Sequence, residues 1–167
     1  VRDITERKQS DKVIQKQRKR IEAFFDYTVT PLAFLDRDLN FIRVNKAYAD
    51  AGKKDVSEFP GHNHFEYYPS DAKAIFEEVV RTKTAFQTFA RPFVYADHPE
   101  WGVTYWDWTL VPILDNMGEV EFLVFSLVDV TKGKKTEALI KSILESVGEG
   151  FVVIDPEYKI ISANRAY

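Results

Sequence analysis

The sequence predicts an α+β fold: a five-stranded antiparallel sheet with short helices on one face, flanked by long helical linkers. Three observations carry this. Segments of strand and helix character run in the order strand, strand, helices, strand, strand, strand, so the sheet is antiparallel and the helices gather on one side of it. The run Asp115-Asn-Met-Gly118 separates the last two strands as a hairpin turn, with Gly118 free to take positive φ. Between them the apolar period is two: Trp106, Trp108 and Leu110 fall on one face, and Tyr105, Asp107 and Thr109 on the other.

Residues 1–20 are strongly polar. Between Arg2 and Glu22 eight basic residues face four acidic ones, and Asp3, three residues before Glu6, reads as a helix cap and first turn. Ile14, Ile21 and Phe24 form a thin apolar stripe, but Ser10 and Gln17 stand where a strong coiled coil places Leu. The segment reads as a long solvated helix that pairs weakly by itself. Interleaved acids favour a wetted face over nucleic-acid or membrane binding.

Two short strands follow at 31–35 and 40–44, joined by the polar turn Asp36-Arg-Asp-Leu39. Asn45 caps a short helix over 46–51 that Gly52 stops. Residues 60–68 read as irregular with one helical turn. Ser70 opens the clearest helix, where Ala72, Ile75, Phe76, Val79 and Val80 recur at helical spacing while Glu77, Glu78 and Arg81 face out. Long strands at 85–95, 103–114 and 119–130 complete the unit.

The chain has 167 residues, 45% hydrophobic and 29% charged, with thirteen Phe, eight Tyr and three Trp, enough to bury a real core. No apolar run approaches the roughly 18 residues that cross a bilayer. The absence of cysteine excludes disulfides, thiolate metal sites, Cys nucleophiles and thioether-linked cofactors, and fits a cytoplasmic setting. A net charge of −3 offers no broad basic field to nucleic acid.

The chain also repeats itself. Ala33-Phe-Leu-Asp36 and Phe41-Ile-Arg-Val-Asn-Lys-Ala-Tyr48 reappear as Val152-Val-Ile-Asp155 and Ile160-Ile-Ser-Ala-Asn-Arg-Ala-Tyr167, displaced by 119 residues. Arg2-Asp-Ile-Thr5 reappears as Val128-Asp-Val-Thr131, displaced by 126. The expected organisation is the exit motif of a preceding unit with a helical linker (1–23), a complete unit (24–131), a second linker (132–147), and the first strands of a following, truncated unit (148–167). The chain therefore reads as a piece of a larger protein. The displacements differ by 126 − 119 = 7 residues, so the leading linker is one heptad longer than the trailing one, at nearly unchanged angular phase.

These features resemble the PAS superfamily. Asp3-Ile-Thr-Glu-Arg-Lys8 and Asp129-Val-Thr131 look like the superfamily's exit signature, Gly61-His-Asn-His-Phe-Glu-Tyr-Tyr-Pro69 like its middle segment, and Trp106-Asp-Trp-Thr-Leu-Val-Pro112 like its fourth strand. The resemblance implies a PAS fold within a multi-PAS, cytoplasmic signalling protein. The parent would most often be a two-component sensor histidine kinase, less often a diguanylate cyclase. It also implies a homodimer through linker helices and the outer sheet face, next to further PAS and output domains, without nucleic acid or membrane contact in this segment.

No catalytic constellation is visible, so the segment itself reads as a non-enzyme. Gly148-Glu-Gly150 is too short for a phosphate loop, and carboxylates are scattered over predicted surfaces. His62, His64 and His98 read as structural rather than as metal ligands. By resemblance haem is disfavoured, since the helix opened by Ser70 supplies no axial His. In the flavin-binding light-sensing branch the reactive Cys position matches His64, the flavin-pairing Gln matches Leu127 and a polar contact matches Trp106. Cysteinyl-flavin photochemistry is therefore excluded and no cofactor is certain.

What remains is the inner face. Trp106, Trp108 and Leu110 of the fourth strand and Leu123, Phe125 and Leu127 of the fifth point, by the resemblance, toward the helices with Ala33 and Leu35. Solid core is the favoured reading. The other is a pocket for a small, mostly apolar or aromatic ligand, with His64 as polar contact. Asp129 and Thr131 sit where sheet becomes helix and are the candidates for signal relay. A structural spacer that binds nothing is the competing function.

Overall fold

The structure, a computed structural model, describes residues 2–146, 150 and 152–164, with side chains of the first helix from residue 7 onward. Helix α1 (Arg2–Tyr27) is a single 26-residue rod. Asp3 is its second residue rather than a cap, because the helix already starts at Arg2. The stripe of Ile14, Ile21 and Phe24 is exposed along its length. The helix docks instead through its last turn. Phe25 is 5% exposed, its ring centroid 4.8 Å from that of Phe34, which lies 5.3 Å from Phe122. Arg43 covers Phe25 at 4.4 Å and donates to Asp26 at 2.8 Å. The outer face of the sheet thus meets the leading helix of its own chain through Phe25, a residue outside the periodic stripe.

Strands β1 (Leu32–Leu35), β2 (Phe41–Val44), β3 (Phe86–Phe93), β4 (Thr104–Leu114) and β5 (Val120–Asp129) form one antiparallel sheet in the order β2-β1-β5-β4-β3. The first and last segments in sequence are neighbours in the middle of the sheet, and Leu32 pairs with Ser126 while the Leu127 N–H donates to the Pro31 carbonyl at 3.1 Å. Antiparallel pairing therefore sets the point where the chain enters the unit beside the point where it leaves.

The turns follow the side-chain chemistry read from sequence. Asp115 Oδ1 accepts the Met117 and Glu119 N–H groups at 2.8 and 2.9 Å, and Gly118 takes φ +77°. Asn45 is completely buried. Its Oδ1 accepts from Leu32 N and Tyr48 N, both at 2.9 Å, and its Nδ2 donates to the Thr30 carbonyl at 2.8 Å. One amide thereby caps α2 (Lys46–Ala51), which Gly52 ends, and ties the start of β1 to it.

Two short 3₁₀ turns escaped the pattern: Val56–Glu58, closed by a capping box between Asp55 and Glu58, and Pro99–Trp101. The helical turn of the middle segment is α3 (His64–Tyr67). The amphipathic helix α4 (Lys73–Thr82) starts later than Ser70: Ala72 stands at its N-cap without a side-chain bond, because 70–72 form a turn instead. Its inward residues Phe76 and Val79 are 1% and 2% exposed.

Strand β3 carries a bulge. Four residues, Thr88 to Arg91, span what β4 covers with three, Trp108 to Trp106, and Ala90 turns to φ +48° with its N–H on Asp107 Oδ1 at 2.7 Å. The inward parity of β3 flips there. Pro92 is tolerated because β3 is an edge.

After α5 (Thr131–Ser146) a hairpin of β6 (Val152–Ile154) and β7 (Ile160–Ala163) repeats the β1–β2 register pair for pair. Ala33↔Val44, Phe34↔Arg43 and Leu35↔Phe41 become Val152↔Ala163, Val153↔Ser162 and Ile154↔Ile160, each displaced by 119 residues with the bulge in the same place. Leu39 and Tyr158 take the same left-handed turn conformation, at φ +69° and +63°. The glycine run at 148–150 and Tyr167 lie largely outside the described residues. None of the described helices is long and apolar enough to cross a membrane.

Candidate functional site

The inner face of the sheet is not packed solid. A cavity of about 80 Å³ remains between β4 and β5 on one side and α2, α3 and α4 on the other. Trp106, Trp108, Phe125 and Leu127 line it from the sheet, Tyr48, His64 and Phe76 from the helices. The sequence-predicted residues thus divide. His64, Trp106, Trp108, Phe125 and Leu127 meet at the cavity; Ala33, Leu35, Leu110 and Leu123, all 0% exposed, belong to filled core and do not reach its wall. The second group is filled core, whereas Trp106, Trp108 and Phe125, though only 5–7% exposed and part of the same buried cluster, also border the cavity.

His64 is 6% exposed and has no carboxylate beside it. Desolvation alone pushes its pKa down to about 3, so the ring is neutral. Tyr48 Oη lies 3.3 Å from Nδ1, and the ring stacks on Phe76 at 5.1 Å and 17°. Burial raises the pKa of the Tyr48, Tyr68 and Tyr95 hydroxyls, which stay protonated. The cavity therefore offers polar hydrogen-bonding groups without interior charge.

Trp106 is 7% exposed, and its indole N–H donates to Thr104 Oγ1 at 2.9 Å; that hydroxyl donates onward to the Phe93 carbonyl at 2.8 Å. On its far side lies a second cavity of about 370 Å³, reached by Trp101, Pro31 and Asp129. The Trp106 indole is a wall common to both. The mouth of the first cavity lies between the turn at 70–72 and β3, where Arg91 Nη2 donates to Asp71 Oδ1 at 2.7 Å. Sequence reading missed Arg91, Phe93 and Tyr95, since plain alternation from Phe86 and Thr88 aims them outward and only the bulge at Ala90 turns them inward. Tyr48 was legible: it lies three residues after the Asn45 cap, on the face of α2 turned to the sheet.

Across the sheet, Trp106 stands opposite Arg91 on β3 and opposite Asp129 on β5. One residue earlier on β4, Tyr105 holds the junction to α5. Its carbonyl accepts the Val130 N–H at 2.9 Å, and its own N–H donates to Thr131 Oγ1 at 2.8 Å. Asp129 Oδ1 accepts the Thr131 N–H at 2.8 Å. Both residues read from sequence as relay candidates are thus hydrogen-bonded across the strand-to-helix junction.

The histidines do not converge. His62 lies 3.6 Å from Glu66, and His98 stacks on Trp101 at 4.1 Å while facing Glu100 at 3.1 Å. Among the described residues no group of three or more His, Asp or Glu could hold a metal ion.

A family model described as the PAS fold matches residues 25–135, two thirds of the chain, and a second, described as a PAS domain, matches residues 138–167. The chain belongs to the PAS family. PAS domains are sensory modules. No curated protein matches the chain. Solved structures share the fold at low identity. An RNA-binding light-oxygen-voltage receptor aligns over 76% of this chain at TM-score 0.62 and 13% identity, and the chain spans 37% of that receptor. The PAS domain of an HTR-like protein from Haloarcula marismortui aligns at TM-score 0.55 and 20% identity, covering 73% of this chain and 98% of that one. The PAS domain of BvgS from Bordetella pertussis aligns at TM-score 0.55 and 15% identity, covering 79% and 98%. Without a cysteine, this PAS chain forms no cysteinyl-flavin adduct.

Proposed function

We propose that residues 24–131 are a ligand-binding sensory module of a larger, cytoplasmic multi-PAS protein, a two-component sensor histidine kinase, and that cavity occupancy is passed to α5 within a homodimer. Residues 1–23 and 132–147 are the linkers on this reading, and residues 148–167 open the next unit. The observation that carries it is the position of Trp106. The same indole walls the cavity and stands on the rung of Asp129, one residue from the Tyr105–Thr131 bond that starts α5. A ligand that shifts the indole therefore loads the junction directly. The exposed residues Ile14, Ile21 and Phe24 of α1, and Leu139, Ile140 and Ile143 of α5, are the surfaces on which two copies pair.

One observation favours the spacer reading: the cavity, at about 80 Å³, is well below the roughly 300 Å³ of a usual small-molecule site. Native mass spectrometry of the purified protein, set against its denatured mass, separates the two. A paired chain carrying extra mass that is lost on denaturation supports the sensor. A chain that stays monomeric at all concentrations overturns the relay.

A further inference from the structure

The mouth of the first cavity holds a guanidinium that its protein partner uses only in part. Arg91 is the one cation among the lining residues, and Asp71 the one anion. The Arg91 side chain is 25% exposed, whereas that of Asp71 is 88% exposed, and a single Nη2–Oδ1 bond joins them among the described residues. An ion pair with so exposed a carboxylate contributes little. A guanidinium presents five N–H donors in a planar fork, which a carboxylate engages with two parallel bonds. Asp71 engages that fork through one Nη2 bond, and Arg91 lines the cavity.

The bulge in β3 is what brings Arg91 there. It puts Arg91 on the same rung and the same face as Trp106. Behind the guanidinium the walls are aromatic: Phe76, Phe93, Trp106, Trp108 and Phe125. The pair also ties the two lips of the mouth, since Asp71 lies in the turn before α4 and Arg91 on β3. The cavity, open at this mouth, has about 80 Å³, half the roughly 150 Å³ that holds a benzene ring, so a bound ring requires its walls to move apart.

We propose that the ligand of this cavity is a small aromatic carboxylic acid, its ring against Trp106 and Trp108 and its carboxylate on Arg91 in place of Asp71. This rests on reading the cavity as a sensory site. Displacing Asp71 both opens the mouth and anchors the ligand, and it does so on the rung that continues through Trp106 to Asp129.

The test is calorimetric titration of the 167-residue protein with benzoate, phenylacetate and 4-hydroxybenzoate, each beside its neutral amide. At least one acid is expected to bind ten times or more tightly than its amide, a preference that Arg91→Gln abolishes. Asp71→Asn is expected to act in the opposite sense and tighten the acid several-fold, because it removes the internal competitor. Equal binding of acid and amide overturns the carboxylate proposal and leaves the sensory cavity standing. Absence of binding by every compound at about 10 mM, far weaker than the micromolar range of ordinary ligand sites, overturns both. If Arg91→Gln and Asp71→Asn weaken the acid alike, the pair is a structural brace and the proposal falls.

Discussion

The hydroxyl oxygen of Thr131 lies 2.8 Å from the backbone nitrogen of Tyr105 and accepts its N–H, the position that a β5 carbonyl would fill if the strand ran one residue further. Helix α5 starts at Thr131, so the backbone turns away and the side chain completes the ladder in its place. Replacing Thr131 by Val keeps the shape and removes the acceptor. The expected loss is about 1–2 kcal/mol, read as a lower denaturant midpoint at unchanged slope, with Thr131→Ser retaining most of the stability.

His64 gives the fold an acid limit. Its folded pKa of about 3 lies below the unfolded value near 6.5, so the unfolded chain binds the proton first as pH falls. The contribution of a neutral His64 is fully present above pH 6.5 and is lost progressively between pH 6.5 and 3. Linkage gives about 2 kcal/mol less stability at pH 5 than at pH 7 from this one group. Urea titrations of the wild type and His64→Gln at both pH values measure it; an equal pH dependence in the two proteins contradicts the assignment.

Asn45 satisfies three backbone groups from inside the core. Asn45→Ala leaves the Leu32 and Tyr48 N–H groups and the Thr30 carbonyl unpaired beside a cavity. The expected cost is about 3 kcal/mol or more, a drop large enough to show as a lower thermal midpoint in circular dichroism.

The linker lengths predict a phase rule. Two residues inserted after Lys135 in the full-length protein rotate everything beyond by about 200°, whereas seven restore the face to within about 20°. Signal output is expected to be deranged by the first insertion and retained by the second. Equal outputs from the two insertions contradict a relay through helix phase.

Much of this was legible because it is local. Asn45 with its helix, Asp115 with its turn and the Trp106-Trp108-Leu110 face depend on spacing alone, and each took the predicted form. The likeness of the two hairpins was legible for the same reason: Asp36 and Asp155 organise the same turn with the same φ sign, five residues before the returning strand. What sequence hid is long-range. The bulge at Ala90 is held by Asp107, seventeen residues away, and it alone decides that Arg91 faces the cavity. Phe25 rather than Phe24 docks α1 because the approach of the helix to Phe34 and Arg43 is a tertiary matter. Leu110 and Leu123 share the inward face with Trp106 and Phe125, yet only packing distinguishes a residue that closes the core from one that walls a gap.

Backbone amide exchange in Trp106→Phe reports whether the cavity wall is felt at the root of α5. The variant enlarges the cavity and removes the indole bond to Thr104. If the cavity wall loads the junction, exchange is faster at Thr131 and at Lys134, whose N–H donates to the Val130 carbonyl at 3.0 Å, and the β1–β2 hairpin is unchanged. A folded variant whose α5 amides exchange as in the wild type contradicts that loading.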